Sequence, residues 1–77
     1  MVIKILGTGC AKCKKLEEVA RKAIIESGVD ATVEKVTELD KIMDYNVMMT
    51  PALVIDEKVV SAGKLLSVND IVKLIKG

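Results

Sequence analysis

The chain contains no phenylalanine, no tryptophan and no histidine, and Tyr45 is its lone aromatic residue. Any core must therefore be filled with aliphatic side chains. With two cysteines and no histidine, a four-ligand zinc site cannot be closed within one chain. Excess charge is also lacking. Twelve basic residues face eleven acidic ones, for a net charge of +1. That balance argues against nucleic acid as a partner, because a phosphate backbone is met by a clearly basic face. No apolar run reaches the roughly 18 residues of a membrane span, so no membrane partner is expected. No signal peptide precedes the first strand, since Met1 leads straight into it, and the expected location is cytoplasmic. Linkers, repeats and low-complexity segments are missing as well, which leaves one domain over residues 1–77.

What is present is a chain of 77 residues that is 51% apolar. A small core can form from that content without metal or additional disulfides. Both cysteines fall in Gly7-Thr8-Gly9-Cys10-Ala11-Lys12-Cys13. An apolar run, Val2-Ile3-Lys4-Ile5-Leu6, precedes this stretch and reads as a buried strand. Lys4 is its exception and is expected near the strand's exposed end. A helix follows to Ser27, so Cys10 stands at or near a helix N-terminus. Unpaired backbone N–H groups and the macrodipole there favour a thiolate. The dipole contributes about 0.3–1 kcal/mol. At roughly 1.4 kcal/mol per pKa unit, the thiol is lowered by less than about one unit. Lys12 and Lys14 add to the effect. Cys13 lies one turn along on the same face, close enough for a small disulfide ring.

Along this first helix Leu16, Val19, Ala20, Ala23 and Ile24 recur at helical spacing, with Lys14 and Glu18 facing each other on the wet side. Gly28 is its C-terminal stop. Ala31 to Val36 alternates and predicts an edge strand. Thr37-Glu38-Leu39-Asp40 resembles a capping box and opens a short helix, with Leu39, Ile42 and Met43 on one side, ending by about Asn46. Ala52 to Ile55 is a second buried strand, with Pro51 at its start, where a sheet tolerates proline. Asp56-Glu57 forms a two-residue turn, and Lys58 to Ser61 returns as the other arm of a hairpin. Gly63 breaks that strand. Ser67-Val68-Asn69-Asp70 starts a closing helix with Val68, Ile71, Val72 and Ile75 on its buried face. The order is β-α-β-α-β-β-α. The β-α-β unit joins parallel strands by a right-handed crossover, and the hairpin adds antiparallel ones. The expected architecture is α/β, a four-stranded mixed sheet with helices on both faces.

This order of elements, Cys10-Ala11-Lys12-Cys13 after the first strand, and Thr50-Pro51 before the third together resemble the thioredoxin fold. Length, the Gly7-Thr8-Gly9-Cys10 approach and the Met-Thr-Pro-Ala-Leu run are most similar to small prokaryotic thioredoxin-like, glutaredoxin-sized redox-active disulfide proteins. The resemblance covers essentially the whole chain. It implies Cys10 as the exposed attacking thiolate and Cys13 as the buried resolving cysteine. It also implies Pro51 as a cis-proline facing the disulfide, and Thr50 as a backbone offered to a substrate strand, with Met49 beside it. Gly9 stands where thioredoxin has tryptophan, and Ala11-Lys12 replaces Gly-Pro, so Gly9 and Lys12 are expected to modulate the site. The active-site tyrosine of glutaredoxin is missing and Gly63 stands alone before the last helix, which argues against glutathione use. No carboxylate matches the buried aspartate of thioredoxin; the nearest register gives Lys4.

The implied activity is reduction of protein disulfides by dithiol–disulfide exchange, as a cytoplasmic monomer in electron transport. The Cys10–Cys13 disulfide takes the place of a cofactor, and an electron-donating reductase is the second partner. The alternative is Cu(I) or other metal binding or delivery by the same two thiolates. Heavy-metal-binding domains also run strand, Cys-x-x-Cys, helix, but their β-α-β-β-α-β order ends on a strand. A third possibility is a binding module without turnover, in which Met48, Met49 and Thr50-Pro51 form an adaptable apolar patch. The plain alternatives are two inert thiols in a core, and Lys12, Lys14 and Lys15 as a solvated helix face.

Overall fold

The computed structural model describes residues 1–9 and 11–76. The elements are β1 (Val2–Leu6), α1 (Ala11–Ser27), β2 (Thr32–Val36), α2 (Leu39–Asp44), β3 (Ala52–Ile55), β4 (Lys58–Ala62) and α3 (Val68–Lys76). They form a four-stranded sheet in the order β2-β1-β3-β4. β1 runs parallel to β2, with Val2 opposite Thr32 and Leu6 opposite Val36. It runs antiparallel to β3, with Ile3 opposite Ile55 and Leu6 opposite Ala52. The sheet is therefore mixed, and the fold is thioredoxin-like.

Alternation along the two central strands divides the core. Ile3 and Ile5 of β1 and Leu53 and Ile55 of β3 face α1 and α3, where they meet Leu16, Val19, Ala20, Ala23, Ile71 and Ile75. Leu6, Ala52 and Val54 face the other way and pack with Ile42 of α2. Leu16, Leu53 and Ile71 are fully buried, each contributing about 1.5–3 kcal/mol relative to exposure. All four residues of β3 are buried, which its unbroken apolar run demands of a central strand.

The ends of the elements follow local chemistry. Gly28 takes a left-handed φ of 71° and stops α1, donating its N–H to Ile24 O at 3.0 Å. At α3, Asp70 N donates to Ser67 Oγ and Ser67 N to Asp70 Oδ2, both at 3.2 Å. This reciprocal box satisfies two donors that the helix start leaves unpaired. The similar-looking Thr37-x-x-Asp40 does not cap α2. Its N-cap is Glu38, with extended backbone and no side-chain cap, because the first helical bond runs from Ile42 N to Glu38 O. The helix thus begins one residue later than the pattern suggests, and Asp40 falls too early in it to close a box on Thr37.

Two further departures share a cause. Lys4 is not at the end of β1 but at its middle, on the α2 face. Its ammonium donates to Glu57 Oε1 at 2.6 Å and to Tyr45 Oη at 3.0 Å, and lies 5.7 Å from the centre of the Tyr45 ring. α2 is only six residues long, so it leaves room on that face for a half-buried cation. Glu57 belongs to the hairpin turn, where Asp56 and Glu57 both have positive φ, 48° and 69°. This primed geometry fits the twist of the strands but normally calls for Asn or Gly. The turn is held by its side chains: Val2 N donates to Asp56 Oδ1 at 2.9 Å while Glu57 meets Lys4. Across the register break between Leu53 and Val54, Leu53 lies opposite Ser61 and Val54 opposite Val59. Val60 is thus an extra residue in edge strand β4, a bulge of the kind that blunts edge pairing.

Candidate active site

The register of β1 with β3 fixes what stands at one end of the sheet. Since Leu6 lies opposite Ala52, the next residue of β1, Gly7, and the residue before β3, Pro51, arrive at the same end. Gly7 extends the sheet one step further by donating its N–H to Val36 O at 3.0 Å. Cys13 packs directly on it: a Cβ at Gly7 would overlap Cys13 Sγ. The sequence marks Gly7 only as part of a glycine turn, whereas the fold gives it a specific reason to lack a side chain. Gly9 has a φ of 90°, and a Cβ added there would meet no atom beyond its chain neighbours within 4 Å.

Cys13 is 5% exposed, in the first turn of α1. Its sulfur is disulfide-bonded and carries no titrating thiol. Cys10, the expected nucleophile, lies outside the described residues. α1 has no acidic residue in its first turn, so nothing there offsets the preference of the helix start for negative charge. Lys12 is exposed.

On the β3 side, the Thr50–Pro51 peptide is cis. Thr50 is exposed and Pro51 is buried. Pro51 O accepts from Gly63 N at 2.9 Å. Met49 is 63% exposed and Met48 96%, and Met49 lies against Gly63, where a Cβ would come within 2.9 Å of its own Cβ. Gly63 also has a φ of 73°. Beyond breaking β4, it ties the Met49–Pro51 loop to the hairpin, and its isolated position before α3 is the one sequence signal for that role.

Behind Cys13 is a small cavity of about 60 Å³ lined by Ile5, Gly7, Gly9, Cys13, Lys14, Glu17, Lys35 and Thr37. Sequence pattern paired Lys14 with Glu18; the carboxylate that forms ion pairs on this face is Glu17. Glu17 Oε2 accepts from Arg21 Nη2 at 2.8 Å and Oε1 lies 3.3 Å from Lys35 Nζ. The Arg21 hydrogen bond, with weaker help from Lys35, holds its carboxyl below the ordinary carboxylate value against an opposing cost of desolvation. Glu17 follows Cys13 by four residues, the spacing that puts both on one helix face. Lys4, in the register where thioredoxin has its acid, is turned to the other face of the sheet and engaged with Glu57 and Tyr45.

A buried, disulfide-bonded cysteine in the first turn of the helix that follows a central strand, beside a cis-proline ahead of β3 in a β2-β1-β3-β4 sheet, defines a thioredoxin-like redox domain. Comparison with known proteins agrees. The thioredoxin-domain family matches residues 1–76. The chain is 40% identical over 75 residues to a thioredoxin of Methanothermobacter thermautotrophicus, covering 97% of each. It is 41% identical over 76 residues to a thioredoxin of Methanocaldococcus jannaschii, covering 99% of this chain and 87% of that one. The chain belongs to the thioredoxin family, and so to the thiol–disulfide oxidoreductases. Among the described residues no helix is long and apolar enough to cross a membrane.

Proposed function

We propose that this protein reduces disulfides of other proteins by dithiol–disulfide exchange at Cys10 and Cys13. Cys10 attacks a substrate disulfide and forms a mixed disulfide. Cys13 then attacks the Cys10 sulfur, releasing the reduced substrate and leaving Cys10–Cys13 oxidised. An electron-donating reductase restores the dithiol, and the cysteine pair itself replaces a cofactor. Thr50 offers its backbone to the substrate strand, Met49 an adaptable apolar surface, and Gly9 an open approach. Lys12 lends positive charge to the nucleophile. The setting is the cytoplasm. The observation that carries this reading is Cys13 itself: buried, disulfide-bonded, in the first turn of α1 and wedged on Gly7, at the sheet end where Pro51 precedes β3.

The test is a redox titration with graded ratios of reduced to oxidised glutathione, read by thiol alkylation. A two-electron transition is expected, with Cys10 alone alkylated quickly in the reduced form. Comparable motifs span roughly −270 to −120 mV, and the midpoint assigns reductase or oxidant. Cys10→Ser abolishes turnover, and Cys13→Ser accumulates the mixed disulfide. Unchanged turnover in Cys10→Ser refutes the assignment. Thiols protected by bound metal until a chelator is added would favour the Cu(I) alternative.

A further inference from the structure

The spacing of Leu39, Ile42 and Met43 suggests one buried side of α2, yet Ile42 alone is buried. Leu39 is 63% and Met43 62% exposed. Four residues apart, these two form one row on the outer face of the helix. Asp40 and Asp44, both exposed, form a second row beside it. We propose that this face docks the flanking chain of a protein substrate, and that the preferred substrate is a disulfide in an unfolded segment with apolar residues and lysine or arginine next to it. The inference rests on the exchange reaction proposed above and names its substrate class.

Position comes first. Val47 packs on the cluster that holds Ile42, Leu6 and Ala52, and Leu6 and Ala52 are the last sheet pair before Gly7 and Pro51. Between α2 and that loop, Asn46 turns the chain with a φ of 58° and donates its N–H to Met43 O at 2.9 Å. Met48 and Met49, both exposed, then lead to Thr50 and Pro51. Apolar surface thus continues from α2 to the cis-proline. Flexible thioethers suit varied partners, and an unfolded chain offers the apolar side chains that a folded one hides. Charge then selects the partner. Beside Glu38, Asp40 and Asp44 the helix has one cation, Lys41, whose ammonium lies 3.8 Å from Glu38. Asp40 and Asp44 have no ion pair among the described residues. On the other face of the sheet, α1 opens with exposed Lys12, Lys14 and Lys15 and no acid in its first turn. A basic segment is therefore repelled from α1 and drawn to α2.

The experiment mixes the reduced full-length chain with an excess of synthetic peptides, each closed by one disulfide whose cysteines are flanked by leucine and by either lysine or glutamate. Peptide thiols are followed by rapid quench and chromatography. Hydroxyethyl disulfide, small and uncharged, is the control that needs no docking. The wild type reduces the lysine peptide faster than the glutamate peptide. Lysine beside a cysteine also speeds exchange by itself, and a variant separates the two effects. Asp40→Asn with Asp44→Asn slows reduction of the lysine peptide by about 2–30-fold, the range for two exposed charge pairs, and the difference fades toward about 1 M salt. Leu39→Ser with Met43→Ser slows both peptides by about tenfold through lost apolar contact. Both double variants reduce hydroxyethyl disulfide at the wild-type rate, which shows that they are folded. A lysine-peptide rate unchanged by loss of the two aspartates overturns the proposal. So does a faster glutamate peptide, which would move docking to the lysines of α1. Dimers that disappear in Leu39→Ser with Met43→Ser would give the face to a second copy of the chain, and overturn it equally. Hydroxyethyl disulfide left intact by the wild type overturns the exchange reaction beneath it.

Discussion

Replacing Gly7 by alanine tests the contact on which the geometry of Cys13 rests. Gly7 is not among the glycines with positive φ, so its backbone does not object to a side chain. The objection is steric. The added methyl would overlap Cys13 Sγ and stand 3.1 Å from Cys13 Cβ. Neither side can retreat easily: Cys13 is fixed in α1 at 5% exposure, and Gly7 is bonded to Val36. Overpacking of this kind costs about 1–3 kcal/mol, against a total stability of about 4–12 kcal/mol for a chain of this length. With a urea m-value of about 1 kcal/mol/M, the unfolding midpoint falls by about 1–3 M. Most of the clash is with sulfur, so in a Cys13→Ala background the same substitution costs under about 1 kcal/mol. Gly28→Ala is the control. It has open space and a φ of 71°, so it costs about 1–2 kcal/mol through the backbone alone. Asparagine, which tolerates that φ, should recover part of the loss at Gly28 and none at Gly7. Equal costs of Gly7→Ala with and without the Cys13 sulfur would refute the reasoning.

Other expectations are simpler. Ile71→Ala, at a fully buried position, costs about 2–5 kcal/mol in urea unfolding, with little change in m. Ser67→Ala removes the acceptor for Asp70 N and costs about 1 kcal/mol; an unchanged midpoint would show that water replaces the cap. The carboxyls of Glu17, Glu57 and Asp70 are all held below their ordinary values, chiefly by hydrogen bonds from Arg21, Lys4 and Ser67 respectively. A lowered carboxylate pKa means stability that is complete above the unfolded value and lost as pH falls through the folded one. The urea midpoint should thus be level near neutrality and drop below about pH 4. In Glu57→Gln part of that acid-side drop disappears.

The parts of the fold that follow from periodicity were open to reading in the amino-acid order. The apolar runs of β1 and β3, the stripe on α1, Gly28 and the Ser67–Asp70 box each depend on neighbours within a few residues. Thr37 shows where such reading stops. Its spacing to Asp40 matches a box, but the backbone at Glu38 is extended and the helix starts later. Lys4 is a second case. A cation within an apolar run suggests an exposed end, and only the tertiary placement of Tyr45 and Glu57 lets it sit mid-strand. Around Cys13 the cysteine spacing and Pro51 were visible, because both are local. The fit of Gly7 to the sulfur, the packing of Met49 on Gly63 and the ion pair from Glu17 to Lys35 were not, since each joins segments far apart in the chain.

The placement of β1 between β2 and β3 also bears on how the protein is made. β1 and the cysteines leave the ribosome first, yet Ile3 must wait for Ile55 and the Pro51 carbonyl for Gly63. At synthesis rates of about 5–20 residues per second, that is an interval of about 3–10 s. During it Cys13 has no β3 to close the sheet behind it, and its thiol is open to oxidants. A nascent or truncated chain ending before β3 therefore carries the whole cysteine motif without the shielding that the folded protein gives Cys13. The shielding of Cys13 is complete only with the last third of the polypeptide.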